Sequence, residues 1–330
     1  MKRMMLAMLI LGLSFSAQIA QADWTPAKRI TWTSNLSIKP AIAIDSYNDI
    51  HVVWMDTPGN YEIYYKKSTD GGGTWTASKR LTWTSGSSSS PAIAIDSINL
   101  IHVVWHDYDS KSGNYEIFYK RSADRGATWS TAKTLTWTSA SYVPTLAIDS
   151  DNTIHVVWKS EPPGNNEIYY TRSIDGGATW STTKRLTWTS GNSYAPAIAI
   201  SSSNTIYVVW YDDTPGNPEI YHKRSTDGGA TWSTAKRLTW TSGVSSSPAI
   251  VVNSFNVIYV AWDDDTPGNA EIYHIGSLGG GTLWTAPTRL TWNSGGSSGP
   301  AMAIDSGNTI HIVWEDSTPG NYEIYYKNGN

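Results

Sequence analysis

Short runs of apolar and β-branched residues alternate with polar residues along most of the chain, and the same succession of runs returns about every 50 residues. The unit around residue 200 contains PAIAI, TIYVVW, EIYHKR and KRLTW, each bounded by Gly, Pro, Asn, Asp or Ser. Such runs predict strands, and no window has the periodicity of a helix. Each unit is therefore predicted to form four strands, which we name A, B, C and D in this order.

The positions of the tryptophans give the number of units. All 18 fall into three slots: the end of strand D, the end of strand B, and the end of an octet between strands C and D. The three sets are Trp32, Trp83, Trp137, Trp188, Trp240 and Trp292; Trp54, Trp105, Trp158, Trp210, Trp262 and Trp314; and Trp24, Trp75, Trp129, Trp180, Trp232 and Trp284. Six units of four antiparallel strands predict an all-β six-bladed β-propeller, because each blade can bury its faces only against its neighbours.

Both ends of the repeat region indicate a closed ring. Residues 26–32 read as a strand D, and residues 323–330 read as a strand C. We expect the N-terminal strand D to complete the last blade beside the C-terminal strands A to C, a 3+1 closure. Residues 23–330 would then form a single propeller domain.

The first 22 residues differ from the repeats. Lys2 and Arg3 precede an apolar run, and Ala20-Gln21-Ala22 follows it, which is the pattern of a signal peptide with its cleavage site. The run is too short for a membrane span, and no later segment is long enough. We expect residues 1–22 to be removed and the mature protein to be secreted, periplasmic or held at the cell surface.

Charge and composition narrow the class of partner. The full sequence has 24 basic and 28 acidic residues. Without Lys2 and Arg3, the mature chain has 22 basic residues and a net charge of −6. Binding to nucleic acid is not expected, because it calls for basic patches. The chain has no cysteine, which excludes disulfides and thiolate metal sites.

The octet between strands C and D is the most specific motif. It reads Ser-x-Asp-x-Gly-x-Thr-Trp in four copies, and a fifth copy at 277–284 lacks the Asp. The pattern resembles the Asp-box, or BNR repeat, of the sialidase-like propeller superfamily. The resemblance implies that the octet closes the turn between strands C and D on the rim opposite the active face, and Asp and Gly suit such a turn. The residues expected to be structural are Ser68, Asp70, Trp75, Ser122, Asp124, Trp129, Ser173, Asp175, Trp180, Ser225, Asp227 and Trp232.

Sialidase chemistry of the usual type is not expected despite this resemblance. The resemblance implies an arginine triad, a tyrosine nucleophile with a glutamate, and an aspartate acid/base on the face formed by the B-to-C and D-to-A loops. The nine arginines of the mature chain stand near the end of strand C, in an octet or at the start of strand D, and we place them on the Asp-box rim. Lys39, the cation nearest the first strand A, does not offer the bidentate geometry of arginine. A non-catalytic protein is favoured, with enzymatic activity left open.

The B-to-C loops are acidic instead. An aspartate stands two residues after the strand-B tryptophan in five units, at Asp56, Asp107, Asp212, Asp264 and Asp316. Such a ring of carboxylates can hold Ca²⁺; the alternative is that these residues bond loop N–H groups or face water. Tyr108 and Tyr211 are candidate ligand contacts in the same loops. An acidic mouth suits a neutral glycan or a cation.

The loop of the second unit breaks the repeat. Seven residues separate Trp105 from Gly113, against four or five elsewhere. His106 beside Asp107 or Asp109 is a weak candidate for acid/base catalysis, and Tyr108 can stack on a sugar ring. The alternative is a solvated surface loop. By contrast, the glutamate that begins strand C in all six units is expected to be structural.

These features predict a lectin-like module that recognises glycan or protein through its B-to-C and D-to-A loop face. Similar grooves between blades, with Trp or Tyr faces, would make weak sites multivalent. The alternative is a glycoside hydrolase of the sialidase-like superfamily, either an exo-sialidase or a related sugar hydrolase. A structural module with no small ligand is the third possibility. Calcium at the acidic face is the one cofactor considered.

Overall fold

The structure is a computed structural model, and it describes residues 28–34, 36–57, 59–137, 139–162, 164–318 and 320–329. The predicted signal peptide and Trp24 lie outside these residues. The chain divides into two compact units, Met1–Trp32 and Thr33–Asn330. The described residues contain no helix that is long and apolar enough to cross a membrane.

The first three blades have four strands each. They are β1 (Ser37–Ile44), β2 (Ile50–Asp56), β3 (Glu62–Ser68) and β4 (Lys79–Arg80) in blade 1; β5 (Ser89–Ile95), β6 (Ile101–Asp109), β7 (Asn114–Ser122) and β8 (Lys133–Thr134) in blade 2; and β9 (Ala140–Ile148), β10 (Ile154–Glu161), β11 (Glu167–Ser173) and β12 (Lys184–Arg185) in blade 3.

The remaining blades follow the same plan, with an additional short strand in blade 5. They are β13 (Ser193–Ile200), β14 (Ile206–Asp212), β15 (Glu219–Ser225) and β16 (Lys236–Arg237) in blade 4; β17 (Ser245–Val252), β18 (Ile258–Asp264), β19 (Glu271–Leu278), β20 (Leu283–Trp284) and β21 (Thr288–Arg289) in blade 5; and β22 (Ser297–Ile304), β23 (Ile310–Asp316) and β24 (Glu323–Gly329) in blade 6. Strand β20 belongs to the octet that lacks the Asp.

The predicted fold class is confirmed: the chain is an all-β six-bladed propeller. The strands of each sheet are antiparallel, and strand A of each blade packs on strand A of the next from blade 1 to blade 6. In blade 6 the described residues supply three strands, and residues 28–34 form none. Closure of the last blade by an N-terminal strand D therefore stays a prediction.

The core lies between successive blades. Trp105 of blade 2 is buried against Val53 and Ile63 of blade 1, and it stacks on Phe118 of its own blade at 5.8 Å between ring centroids. Burial of a blade thus depends on its neighbour, as the repeat predicts. This cover is incomplete at blade 1, where Ile42 is 63% exposed.

A β-bulge interrupts strand A of every blade just before its proline. The residue before the proline has a positive φ, which is unusual for a β-branched residue such as Val143 at 50°. Beyond the bulge, strand A pairs with the last residues of strand B. Tyr142 therefore lies beside Lys159, and Tyr194 lies beside Tyr211.

Candidate binding site at the B-to-C loop end

The five aspartates that follow the strand-B tryptophans are buried and hydrogen-bonded. Each is at most 3% exposed. Each accepts a hydrogen bond from a serine near the start of strand A in its own blade: Ser37 to Asp56 at 2.7 Å, Ser88 to Asp107 at 2.6 Å, Ser193 to Asp212 at 2.7 Å, Ser245 to Asp264 at 2.6 Å and Ser297 to Asp316 at 2.8 Å. The structure therefore gives no support to a ligand-facing or calcium-binding ring made of these carboxylates. They hold the loops together.

The imidazole of His106 is buried at the junction between blades 2 and 3. Burial, together with the positive charges of Lys39 and Lys159, lowers its pKa to about 4. Nδ1 lies 3.3 Å from the backbone nitrogen of Val143 and accepts its hydrogen bond. The neutral ring therefore carries its proton on Nε2.

The predicted acid/base group of the second-blade loop is not assembled. Asp107 is bonded to Ser88, and burial raises the pKa of its carboxyl group. Asp109 accepts a hydrogen bond from the backbone nitrogen of Lys111 at 3.0 Å. Within the described residues no hydrogen bond joins His106 to either aspartate. The three side chains serve the loop separately.

A continuous set of tyrosines crosses this end of blades 2, 3 and 4. Its members are Tyr108, Tyr115, Tyr142, Tyr194 and Tyr211, and we call them, with Lys159, the tyrosine band. Ring centroids lie 5.7 Å apart for Tyr108 and Tyr115, 5.2 Å for Tyr115 and Tyr142, and 5.2 Å for Tyr194 and Tyr211. The ammonium group of Lys159 lies 4.5 Å from the Tyr142 ring and 5.5 Å from the Tyr194 ring, which joins the two halves.

The tyrosine band is partly open to solvent. Tyr108 is 41% exposed, and the other four tyrosines are half-buried. Lys159 also forms a salt bridge with Glu161 at 2.8 Å, so its charge is compensated locally. The band therefore offers aromatic faces and hydroxyl groups at a surface with little net positive charge.

Lys159 and Tyr211 of the band occupy a sequence position, directly after the strand-B tryptophan, at which all six blades have different residues. The residues that directly follow the strand-B tryptophan are Met55, His106, Lys159, Tyr211, Asp263 and Glu315, although the tryptophan before this slot occurs in all six blades. Side chains in this slot contact the next blade: His106 bonds Val143, and Asp263 accepts a hydrogen bond from the Gly299 nitrogen at 3.1 Å. Symmetry is thus broken at the blade junctions of this end.

Sequence reasoning found part of the band. Tyr108 and Tyr211 are among the predicted contacts, whereas Tyr115, Tyr142, Lys159 and Tyr194 were missed. The signal was available in the two residues before each strand-A proline, which read YV and YA in units three and four but IK, SS, SS and SG in the others.

The Asp-boxes close turns, as the resemblance implies. In the box of blade 3, Asp175 accepts hydrogen bonds from the Ser173 hydroxyl at 2.8 Å, the Thr179 backbone nitrogen at 2.8 Å and the Thr179 hydroxyl at 2.6 Å. Trp180 packs edge-on against Tyr119 of the preceding blade at 5.1 Å. The same bonds and packing occur at the box residues Ser68, Asp70, Ser122, Asp124, Trp129, Ser225, Asp227 and Trp232.

The prediction that all arginines lie on the Asp-box rim is wrong for those of strand D. Arg121, Arg172 and Arg224 bond glycine carbonyls of the next Asp-box, as placement on that rim predicts. The strand-D arginines instead reach the buried glutamate that begins strand C, at the opposite end of the blade. These pairs are Arg80 with Glu62, Arg185 with Glu167, Arg237 with Glu219 and Arg289 with Glu271, at 2.5 to 2.7 Å. Each two-residue strand D pairs with strand C only two or three residues from this glutamate, so the arginine side chain can reach its carboxylate.

One group of three potential metal ligands occurs in the described residues: Asp45, Asp49 and His51 on the Asp-box rim. Arg125 of blade 2 supplies the positive charge that a metal ion would supply there, because it forms salt bridges with both aspartates. His51 in turn bonds the Tyr65 hydroxyl at 2.8 Å. The cluster therefore joins two blades and does not resemble a vacant metal site.

The tryptophans that follow strand D are exposed, which the sequence reasoning did not anticipate. Trp83, Trp137, Trp188, Trp240 and Trp292 are 65 to 70% exposed. In contrast, the strand-B tryptophans Trp105, Trp158, Trp210 and Trp262 are buried. The five exposed indoles occupy equivalent positions in blades 1 to 5 and form a second aromatic feature of the surface.

The fold and the Asp-boxes define a sialidase-like six-bladed β-propeller. Residues 15–213, more than half of the chain, match the family model described as a BNR repeat-like domain. The chain belongs to this BNR repeat-like domain family. No curated protein matches the sequence significantly.

Solved structures share the fold at low sequence identity. A protein of unknown function from Dyadobacter fermentans has a TM-score of 0.68 at 14% identity, with 89% of this chain and 94% of that chain covered. The NanB sialidase from Streptococcus pneumoniae has a TM-score of 0.63 at 12% identity, covering 92% and 70%. The α-L-arabinofuranosidase from Fusarium graminearum has a TM-score of 0.65 at 14% identity, covering 89% and 93%. Such likeness shows the fold alone.

Proposed function

We propose that the protein is an exported, lectin-like module that binds a neutral glycan at the tyrosine band. The observation that carries the proposal is the band itself: five partly exposed tyrosines, continuous over three blades, at the junctions where the repeat is broken. A single asymmetric ligand requires such a break in the sixfold repeat.

The chemistry of the band suits a neutral sugar. Tyrosine offers an apolar face for a sugar ring and a hydroxyl group for its polar substituents. Lys159 is paired with Glu161. Burial raises the pKa of the Tyr211 hydroxyl, and Tyr194, Asp263 and Asp213 add to this effect. An anionic sugar would meet these carboxylates unfavourably.

The arginine contacts argue against sialidase chemistry. A carboxylate clamp needs guanidinium groups that converge on a ligand. Here the strand-D arginines are paired with buried glutamates, and Arg121, Arg172 and Arg224 bond neighbouring Asp-boxes. The export of the protein rests on the leader pattern of residues 1–22.

A glycan array with the mature protein, followed by calorimetry on each neutral glycan that binds, tests the proposal. Tyr142→Ala is expected to weaken binding about tenfold, as for a central aromatic contact. Tyr142→Phe should retain the stacking part of the affinity. Tyr47→Ala is the matched control, because Tyr47 is an exposed tyrosine outside the band. Equal losses in Tyr142→Ala and Tyr47→Ala would contradict a site at the band.

A panel of fluorogenic aryl glycosides separates this function from a glycoside hydrolase. The lectin-like function predicts no turnover by the mature protein. Turnover that is abolished by changes at His106, Asp107 or Asp109 would instead establish the hydrolase alternative.

A further inference from the structure

Grooves lie between strand D of one blade and strand C with the Asp-box of the next blade. We call them edge grooves and number them by the blade that supplies strand D. Edge groove 1 has a volume of about 440 Å³ and is lined by Lys79, Arg80 and Trp83 of blade 1 and by Lys120 and Trp129 of blade 2. It is separate from the tyrosine band.

The exposed tryptophan of edge groove 1 stands over cationic groups. The Arg80 guanidinium carbon and the Lys120 ammonium nitrogen each lie 5.7 Å from the centroid of the Trp83 ring. With 68% of Trp83 exposed, the indole remains open to a ligand. An aromatic face beside fixed cations is suited to a ring that carries an acidic substituent.

The lysines give edge groove 1 its net charge. The Arg80 charge is balanced by buried Glu62 at 2.6 Å. Lys79 donates to the Ala127 carbonyl, and Lys120 donates to the Leu81 carbonyl at 2.5 Å. Neither lysine forms a salt bridge within the part of the chain that the structure describes. The two ammonium groups that line this groove therefore have no carboxylate partner among the described residues.

Edge groove 3 repeats the same set. Lys184, Arg185 and Trp188 face Lys223 and Trp232 in a groove of about 360 Å³. Trp188 is 66% exposed, and the ammonium nitrogen of buried Lys223 lies 5.2 Å from its ring centroid and donates to the Leu186 carbonyl. Two grooves of identical composition show that the arrangement is not specific to one junction.

Edge groove 2 supplies an internal comparison. It has a similar volume of about 360 Å³ and an equivalent tryptophan, Trp137, at 65% exposure. Thr134 occupies the arginine slot, and Thr171 occupies the slot of Lys120 and Lys223. This groove therefore retains the aromatic face but loses two of the cations.

We propose that edge grooves 1 and 3 bind acidic sugar units of an anionic polysaccharide. The indole of Trp83 or Trp188 stacks on the sugar ring, and the neighbouring lysines attract the carboxylate. The grooves are small and separate, whereas a folded protein partner requires a continuous surface of roughly 800 Å² on each side. A polymer with a repeated acidic unit can occupy two such grooves and gain avidity.

The test uses the mature protein and two matched probes, hexagalacturonate and its fully methyl-esterified form. The two probes share the sugar ring and differ in charge. Calorimetry at low salt should detect hexagalacturonate, with binding to the ester about tenfold weaker and binding of the acid decreasing as salt is added. Equal affinity for the two probes, or no binding of hexagalacturonate at millimolar concentration, would overturn the proposal.

Variants locate the site. The double change Trp83→Ala and Trp188→Ala should weaken hexagalacturonate binding about tenfold, whereas Trp137→Ala should leave it unchanged. Lys120→Met with Lys223→Met keeps most of the apolar stems and should reduce both the affinity and its dependence on salt. Conversely, Thr134→Arg with Thr171→Lys should add one binding site. An equal loss from Trp137→Ala would show that charge is irrelevant.

Two further measurements separate sugar recognition at the edge grooves from general attraction of polyanions and from binding at the tyrosine band. Poly-L-glutamate should bind more weakly than hexagalacturonate per acidic group; equal binding would show general polyanion attraction and would overturn recognition of a sugar. Tyr142→Ala should not change binding of hexagalacturonate. Failure of one proposed site is therefore distinguishable from failure of the other.

Discussion

Blades 2 and 3 are built on the same repeat, but their contacts are alike only at the Asp-box end. At the Asp-box end, Asp124 and Asp175 accept the same serine hydrogen bond at 2.8 Å. Tyr119 meets Trp180 edge-on at 5.1 Å, and Tyr170 meets Trp232 at the same distance. This end is the part of the blade that the repeat preserves.

The B-to-C loop end differs in almost every feature. In blade 3, Arg185 is paired with buried Glu167 at 2.5 Å. In blade 2, Thr134 replaces the arginine, and buried Glu116 accepts a hydrogen bond from Thr136 but forms no salt bridge among the described residues. Strands β6 and β7 of blade 2 also extend further into the loop, to Asp109 and from Asn114.

The Asp-box end repeats because every junction needs the same packing. At the B-to-C loop end, blades 2 and 3 differ in the arginine slot and in the length of strands B and C. We expect buried Glu116, which lacks a salt bridge, to cost stability in blade 2. Four changes test this comparison, beginning with the largest expected effect.

Arg185→Met should make blade 3 resemble blade 2 and should cost most. Removing the guanidinium leaves Glu167, which is fully buried, with hydrogen bonds from Asn165 at 2.9 Å and from the Thr189 nitrogen at 3.1 Å. The free energy of unfolding should fall by about 3 kcal/mol, because one partner of a buried ion pair is lost. Urea unfolding followed by tryptophan fluorescence measures the change.

Thr134→Met is the matched control for that change, since it alters the same slot of blade 2 without breaking an ion pair. It should stay within about 0.5 kcal/mol of the parent protein. A similar loss in both variants would mean that strand D needs the side chain at this position for packing, and that the Glu167 pair contributes little.

Asp175→Ala and Asp124→Ala should cost about the same, because the Asp-box end is equivalent in both blades. Each removes two threonine hydrogen bonds and one from serine, worth about 2 kcal/mol after allowance for solvent screening. Hydrogen bonds from Thr179 and Ser173 lower the pKa of Asp175 to about 2. The native contribution is therefore complete above pH 3.8, the ordinary value, and is lost as the pH falls toward 2.

Chemical denaturation of both box variants at pH 7 and pH 2.5 measures these losses. Asp151→Ala, which removes an exposed turn carboxylate, is the control and should change stability little. Clearly unequal losses for Asp175→Ala and Asp124→Ala would refute the equivalence of the two boxes.

The Asp-box end could be predicted from sequence because its contacts are local. Ser173, Asp175 and Thr179 lie within seven residues, and their hydrogen bonds follow from the turn. The YV and YA dipeptides mark Tyr142 and Tyr194, but they do not identify the residues that these tyrosines contact. Tyr115 meets Tyr142 across a blade junction, and that contact depends on the packing of two blades.

Side-chain reach and exposure were also hard to predict. The position of Arg185 in strand D suggested the Asp-box rim, but its long side chain extends to Glu167 at the other end. Trp188 stands two residues after apolar Leu186, on the same predicted strand face, and reads as core, yet it lies over Arg185 with its indole in solvent. Both depend on the outermost strand, which has no further strand to cover it.

His106→Asn should remove a pH dependence from the slot that holds Lys159 in blade 3. Because the folded-state pKa of His106 is lowered to about 4, the unfolded chain binds the proton more readily, and stability falls as the pH drops from 6.5 toward 4. Asparagine can still accept the Val143 hydrogen bond without titrating. Between pH 6.5 and 5 the variant should lose about 1.5 kcal/mol less than the parent protein. Parallel pH profiles of the two proteins would contradict the assignment.

Glu116→Gln should stabilise the protein slightly, by about 1 kcal/mol at pH 7, because a buried carboxylate without a salt-bridge partner becomes neutral. Burial raises the pKa of Glu116 above 4.5, so the charged form is penalised as the pH rises through the folded-state pKa. The advantage of glutamine should therefore shrink as the pH falls to 4.5 and below, where both states hold the proton. Glu167→Gln, which breaks the pair with Arg185, should have the opposite sign at pH 7. Equal effects at the two glutamates would mean that the arginine slot does not govern this end of the blade, and that the difference between blades 2 and 3 has another cause.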